Sequence, residues 1–281
     1  MANIIITKLT ASLANTEGFQ KLNTLVFNVS KREAASLGSR TTSIRTNAVT
    51  QVTIKGGEDA YFVDANDESI GTTINLAADQ DHDLPIRWSN ADAQITIENK
   101  DAIVFFGSAA QSTILTIDVD QLNYAKSLAY LVLANYASNY IGLKNIDLRN
   151  NSKLSTIIIN YVSGEIDFDY FPTRSYSLYF YNLSNLNNIT VEKLAKLKTA
   201  SSLSLTSSNI KFSLEDVLVG MLNNGRTANL TVKGESTVFR FNSEALPYNL
   251  DVEFGVDTIT VKKSSDSSTV ATYSDGEWIY N

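Results

Sequence analysis

The sequence contains no cysteine, one histidine and only three prolines in 281 residues. Without cysteine, neither disulfide bonds nor thiolate metal sites can form. A zinc site or a histidine-dependent nucleophilic triad would have to use His82. No G-x-S-x-G or H-E-x-x-H motif surrounds this residue, and we expect it to lie in an exposed loop. We therefore predict a protein that is not an enzyme, with no catalytic residues, no bound metal and no cofactor.

Basic runs and long apolar runs are also missing. The net charge is -7 and the pI is about 4.8, which argues against a groove that neutralises nucleic-acid phosphates. No window approaches ~18 consecutive apolar residues, so we expect no membrane-spanning helix. What the chain does have is 43% hydrophobic residues, 13 tyrosines and 12 phenylalanines. This composition favours a folded, β-rich protein with aromatic contact surfaces.

The densest acidic cluster is "DQDHDL", which places Asp79, Asp81 and Asp83 at alternate positions. Calcium prefers several oxygen ligands in such a cluster. An EF-hand loop would need glycine and glutamate where the sequence has Leu84 and Asn90. We expect an exposed loop of unpaired aspartates, and whether it binds a cation stays open.

A second acidic cluster, "GEIDFDYF", supplies Glu165, Asp167 and Asp169. A glycosidase needs two carboxylates roughly 5 to 9 Å apart. The same alternation, however, turns Ile166 and Phe168 inward and the acids outward, as in an amphipathic strand. We interpret the cluster as amphipathic β patterning.

The order of elements predicts four regions. Residues 1–57 form an N-terminal anchoring segment, with a short helix starting after a capping box of Ser30 and Glu33 and a strand near residues 49–54. Residues 58–110 form a region of short strands. Residues 250–281 form a C-terminal β-hairpin cap, in which Asp275-Gly276 fits a type I′ turn.

The fourth region, residues 111–249, shows a recurring strand pattern. Its strands begin at Leu115, Leu131, Ile146, Ile157, Leu178, Leu203 and Leu230, at intervals of 16, 15, 11, 21, 25 and 27 residues. In the later units a helix follows the strand, capped by Thr190 in one case and by Ser213, with Gly225 at its end, in another. We predict a β-rich α/β fold: an irregular leucine-rich-repeat solenoid of parallel strands with short helices in its later repeats, preceded by a small β-rich domain and closed by the β-cap.

Three stretches carry a resemblance to a known family. They are "ITIENK" from Ile95 to Lys100, "SGEI" from Ser163 followed by Phe171-Pro172, and "LNNGRTANL" from Leu222 to Leu230. Together they resemble irregular leucine-rich-repeat proteins of Bacteroidetes phages, including the crAss-like group, and of their hosts. The resemblance covers about residues 93–235. It implies a structural protein of a virion or, alternatively, of a bacterial cell surface.

Tyrosines cluster in the same region, and we predict that Tyr136, Tyr140, Tyr161, Tyr179 and Tyr181 form a binding surface. If Leu178 and Phe180 face the core, the tyrosines beside them face solvent, where they favour contacts with proteins or sugars. Filling of gaps between repeats is an equally good explanation. The predicted function is a phage virion structural protein (head decoration, head fibre or tail-associated) that contacts other virion proteins and forms homo-oligomers. The alternative is an adhesin or receptor-binding module for a glycan or a host-surface protein.

Overall fold

The computed structural model describes residues 24–29, 40–55, 60–64, 66, 68–87, 93–108, 114–118, 122, 125–134, 141–144, 147–160, 162–182 and 189–281. The helix predicted over residues 30–38 lies outside these ranges. In the described residues most of the chain is β-strand. The first strands are β1 (Leu25–Val29), β2 (Arg40–Thr46), β3 (Thr50–Lys55), β4 (Tyr61–Val63), β5 (Ser69–Gly71), β6 (Thr73–Leu76), β7 (Asp81–Arg87), β8 (Ala93–Ile97), β9 (Ile103–Ser108), β10 (Ile114–Asp118), β11 (Tyr130–Ala134) and β12 (Ile141–Lys144).

The remaining strands extend to the end of the chain. They are β13 (Thr156–Asn160), β14 (Val162–Ser163), β15 (Tyr176–Tyr181), β16 (Ala200–Leu205), β17 (Phe212–Ser213), β18 (Leu230–Val232), β19 (Phe239–Phe241), β20 (Glu244–Ala245), β21 (Leu250–Phe254), β22 (Ile259–Lys263), β23 (Thr269–Ser274) and β24 (Glu277–Tyr280). The helices within the described residues are α1 (Val191–Leu194) and α2 (Leu214–Asn223), with short 3-10 helices at Lys100–Ala102 and Phe168–Tyr170.

The largest sheet is mixed and has 14 strands, in the order β24-β23-β22-β21-β18-β16-β15-β13-β11-β9-β2-β7-β4-β5. Its centre, from β9 to β18, pairs in parallel. Both flanks are antiparallel. Seven further strands form a second sheet, in the order β14-β12-β10-β1-β8-β3-β6, and β17, β19 and β20 form a third.

The core lies against one face of the parallel centre. One register row consists of Phe106, Leu131, Ile157, Leu178, Leu203 and Val232, and all six side chains are buried. Alternate residues of a strand point to opposite faces of the sheet, so the residues between these positions define an opposite, outer face. Residues of α1 and α2, including Leu194, Val217 and Met221, add to the core.

The predicted leucine-rich-repeat solenoid is wrong. Parallel strands make up only the centre of a mixed sheet whose flanks are antiparallel. Two predicted units also fail individually. The strand at Leu115 is β10, which pairs with β1 and β12 in the seven-stranded sheet, and residues 147–150 of "IDLRN" lie in a turn region with no strand. Apolar alternation identifies a strand, but it does not specify which sheet the strand joins.

Strand pairing crosses the predicted boundaries at residues 57 and 110. The seven-stranded sheet combines β1 and β3 with β8, and β1 also pairs with β10. The boundaries therefore separate strands that are hydrogen-bonded to one another. The division into four regions stays a prediction.

Several local predictions are confirmed. The Thr190 hydroxyl caps α1 by accepting from the Lys193 amide, and the Ser213 hydroxyl caps α2 by accepting from the Asp216 amide. After α2, Gly225 takes a φ of 77°, and the turn before β24 has φ values of 52° at Asp275 and 85° at Gly276, as a type I′ turn requires. Within the described residues, no helix combines the length and apolar character needed to cross a bilayer.

Candidate functional site

Four aromatic and two aliphatic side chains lie together on the outer face of the parallel centre. Because Leu178 and Phe180 are buried, Tyr179 and Tyr181 project from the opposite side of β15. Both tyrosines are half-buried, as are the other side chains of this group. We call the group the aromatic band; it consists of Phe105, Tyr130, Val132, Ile158, Tyr179 and Tyr181.

The pairing register makes the aromatic band continuous across four strands. Phe105 of β9 pairs with Tyr130 of β11, and their ring centroids are 5.5 Å apart. In the next row, Val132 pairs with Ile158, and Ile158 pairs with Tyr179. The rings of Tyr179 and Tyr181 are 6.5 Å apart and within 16° of parallel. The band is therefore a contiguous surface and not a set of isolated side chains.

Partial burial within the band changes the acidity of one tyrosine. Desolvation raises the pKa of Tyr181, and the nearby Glu235, Tyr179 and Tyr130 raise it further. The shift strengthens the preference of Tyr181 for its neutral form. A neutral phenol ring combines a large apolar area with a polar tip, which suits a contact surface.

Gly107 makes room for one ring of the band. A Cβ atom at this position would lie 2.6 Å from Cζ of Phe105, closer than real Cβ contacts. The Phe105 ring therefore occupies the space beside the backbone of β9 where a side chain would otherwise stand. Glycine here allows the ring to lie close to the sheet.

Polar groups border the band on both sides. On one side, Arg45 pairs in register with Phe105 and donates two hydrogen bonds of 2.7 Å to Asp81. This pairing lowers the pKa of Asp81. On the other side, beyond β16, the Thr231 hydroxyl of β18 donates a hydrogen bond of 2.7 Å to the Asp251 carboxylate of β21. Directly beside the band, Ser204 of β16 pairs with Tyr179, and its buried hydroxyl group has no hydrogen-bond partner among the described residues. The apolar area therefore has polar neighbours on both sides, and those at Arg45 and Thr231 are hydrogen-bonded.

Three of the five tyrosines predicted to bind, namely Tyr136, Tyr140 and Tyr161, lie outside the described residues. The structure brings Tyr179 and Tyr181 together with four side chains from other strands that the sequence did not point to, namely Phe105, Tyr130, Val132 and Ile158. Phe105, Tyr130 and Val132 could have been found by taking every residue between two core positions, but only if the pairing of β9 with β11 were known.

The acidic cluster is only in part the exposed loop that was predicted: Asp79 lies in an exposed turn, but the residues from Asp81 onward belong to a strand. Asp81, His82 and Asp83 begin β7, and Asp81 is paired with Arg45. The Nε2 atom of His82 lies 2.9 Å from the carbonyl oxygen of Ala77. In the part of the chain that the structure describes, no group of three or more acidic or histidine residues could hold a metal ion.

The second acidic cluster, predicted to show the pattern of an amphipathic strand, forms a helical turn instead. Asp167 caps the 3-10 helix Phe168–Tyr170 by accepting from the Asp169 amide. Ile166 and Phe168 are buried as predicted, while Asp167 and Asp169 form ion pairs with Lys196. The two carboxylates thus share one cation at the surface.

A cleft of about 480 Å³ lies between the start of α2 and the last strand, β24. We call it the C-terminal cleft. It is lined by Lys211, Phe212, Ser213, Glu215, Arg240, Asn242, Ser243, Trp278 and Tyr280. The lining combines two cations, one carboxylate, three aromatic rings and three neutral polar side chains, which is the mixture found in sites for small polar ligands.

The Glu215 carboxylate joins the three elements that form the cleft. It accepts hydrogen bonds from the Tyr280 hydroxyl at 2.9 Å and from the Asn242 amide at 2.5 Å, and its other oxygen accepts from the Ser213 hydroxyl at 3.2 Å. Desolvation, followed by the contact with Glu215, raises the pKa of Tyr280 to about 12. Glu215 therefore fixes the position of β24 relative to α2.

Trp278 and Tyr280 form the aromatic wall of the cleft. Their rings are 6.5 Å apart and within 22° of parallel, and Phe241 packs edge-on against both. Asn242 and Ser243, in the opposing turn, adopt left-handed φ values of 50° and 66°. The alternation of "EWIY" predicts that Trp278 and Tyr280 share a face, but nothing in the sequence connects them with Glu215.

Comparisons of the chain with models of protein families, with curated proteins and with solved structures found no match.

Proposed function

We propose that this chain is a non-enzymatic structural protein of a phage particle, and that it assembles with copies of itself and with other proteins of the particle through the aromatic band. The observation that supports the proposal is the continuity of the band across β9, β11, β13 and β15. The assignment to a phage particle comes from the resemblance of residues 93–235 to phage proteins.

The composition of the band fits a protein partner. Aromatic side chains are enriched in protein interfaces, and charged residues are depleted at their centres. Phe105, Tyr130, Tyr179 and Tyr181 supply the aromatic area, and the charged pair Arg45–Asp81 lies beside it. An apolar centre with a polar edge is the usual arrangement of such an interface.

Self-association is the property to measure first, because identical copies are the commonest partners in soluble assemblies. Sedimentation velocity of the wild-type chain over a hundredfold range of concentration is expected to show oligomers. The double variant Tyr179→Ser/Tyr181→Ser is expected to remain a monomer. The matched control, Tyr170→Ser/Tyr248→Ser, removes two exposed tyrosines outside the band and is expected to oligomerise like the wild type.

A wild-type chain that stays monomeric throughout, or a Tyr179→Ser/Tyr181→Ser variant that still oligomerises, would contradict self-assembly through the band. Binding to a glycan array distinguishes self-assembly from the alternative function, recognition of a glycan. Reproducible sugar binding that is lost in the same double variant would make the band a glycan site.

A further inference from the structure

The C-terminal cleft has an excess of positive charge in a chain whose net charge is -7. Lys211 and Arg240 both line it, and Glu215 is the acidic residue among the lining groups. With Glu215 ionised, the cleft carries one net positive charge. A ligand with a single negative charge would neutralise it.

Neither cation has an acidic partner among the described residues. The ammonium group of Lys211 donates to the Ser207 carbonyl at 3.1 Å, and Arg240 donates to the Phe239 carbonyl at 3.3 Å. By contrast, Arg45, Arg149 and Lys262 form ion pairs. A guanidinium group can hold a planar carboxylate through two parallel hydrogen bonds. The guanidinium group of Arg240 lines the cleft and does not bind a carboxylate of the described residues.

The other groups of the cleft suit a ring that bears hydroxyl groups. Trp278 and Tyr280 offer flat apolar area beside it. The Asn242 and Ser243 side chains can donate and accept hydrogen bonds. Glu215 can accept hydrogen bonds from hydroxyl groups, although it is only 9% exposed and holds three bonds already. A sugar ring has an apolar face, which can pack against aromatic rings, and hydroxyl groups around its edge, which can form hydrogen bonds.

We propose that the C-terminal cleft binds a saccharide that carries one carboxylate, such as a uronic acid. Arg240 and Lys211 hold the carboxylate, the sugar ring packs against Trp278 and Tyr280, and Asn242 and Ser243 bind hydroxyl groups. This site is separate from the aromatic band, and the proposal does not depend on self-association.

The test titrates the isotope-labelled full chain with D-glucuronate and, separately, with D-glucose, and follows the N–H signals of the protein by NMR. The indole N–H signal of Trp278, assigned with Trp278→Phe, reports whether binding occurs in the cleft. Glucuronate is expected to bind roughly tenfold or more tightly than glucose, since a charge-assisted hydrogen bond contributes that much. Arg240→Gln and Lys211→Gln are each expected to remove most of this preference and leave the weaker binding of glucose.

Lys198→Gln is the matched control, because it removes an exposed cation away from the cleft, and it is expected to bind glucuronate like the wild type. Equal binding of glucuronate and glucose would overturn the role of the carboxylate. Inorganic phosphate that binds more tightly than glucuronate would overturn the assignment of a carboxylate-bearing sugar. If neither sugar binds, or if binding leaves the Trp278 signal unchanged, the site itself is refuted.

Discussion

The hydroxyl group of Tyr280, in the last strand, donates a hydrogen bond of 2.9 Å to the carboxylate of Glu215, in helix α2. The two residues are 65 positions apart in the sequence, and the bond closes one side of the C-terminal cleft. The antiparallel end of the large sheet is thereby attached to the helix that packs on its core.

Tyr280→Phe is expected to lower the free energy of unfolding by about 1 kcal/mol at pH 7, because it removes a hydrogen bond to a charged group at a partly exposed site.

The same hydrogen bond makes the stability of the wild-type chain depend on pH. The pKa of Tyr280 in the folded chain, about 12, lies above the ordinary value of 10.0. The stabilising contribution is therefore complete below pH 10 and is lost as the pH rises through 12. Urea unfolding at pH 7 and pH 11.5 measures both effects, and the variant should lose less stability with pH than the wild type. An identical pH dependence in both chains would contradict this.

Arg226→Lys is expected to destabilise the chain by about 2 to 4 kcal/mol, because it leaves buried carbonyl groups without donors. The Arg226 side chain is 1% exposed. Its guanidinium group donates to the carbonyl groups of Leu197, Ala200, Ala228 and Asn229, and a lysine cannot reach all four.

The midpoint of urea unfolding measures the loss, and Arg174→Lys is the control. Arg174 is an exposed arginine that donates to one carbonyl group, that of Ser152, so its replacement should cost less than about 0.5 kcal/mol. Equal effects of the two substitutions would show that the buried carbonyl groups do not depend on the guanidinium group.

Gly107→Ala is expected to destabilise the wild-type chain by about 1 to 3 kcal/mol, because the new methyl group overlaps the Phe105 ring. In a Phe105→Ala background the overlap disappears, and the same substitution should be neutral or slightly stabilising. A double-mutant cycle of urea unfolding measures this coupling. Additive effects would mean that the ring does not lie over Gly107.

Much of the local structure could be predicted from the sequence, because local structure depends on neighbouring residues. Thr190 and Ser213 cap their helices, and Asp275-Gly276 forms the expected turn. Each of these features is decided within about five residues by backbone hydrogen bonds and by the freedom of glycine at positive φ.

The sheet arrangement could not be predicted in the same way. The alternation at Leu115 correctly indicates a strand, but that strand joins β1 and β12 and not the parallel centre. Tyr179 and Tyr181 could be placed on the outer face, whereas their neighbours Ile158 and Val132 depend on pairing between distant strands. The cleft depends on a contact between residues 215 and 280, and no short sequence pattern indicates such a contact.

The most direct test of the aromatic band as a contact surface uses a single introduced cysteine, because the chain has none of its own. Ser177 pairs with Thr156 on the outer face beside the band. Ser265 is exposed in the turn after β22, a strand separated from β15 by β21, β18 and β16. We predict that the thiol of Ser177→Cys reacts with a maleimide much more slowly at concentrations where the chain oligomerises than at high dilution, while the thiol of Ser265→Cys reacts at the same rate in both. Equal reactivity of the Ser177→Cys thiol at both concentrations would contradict the account.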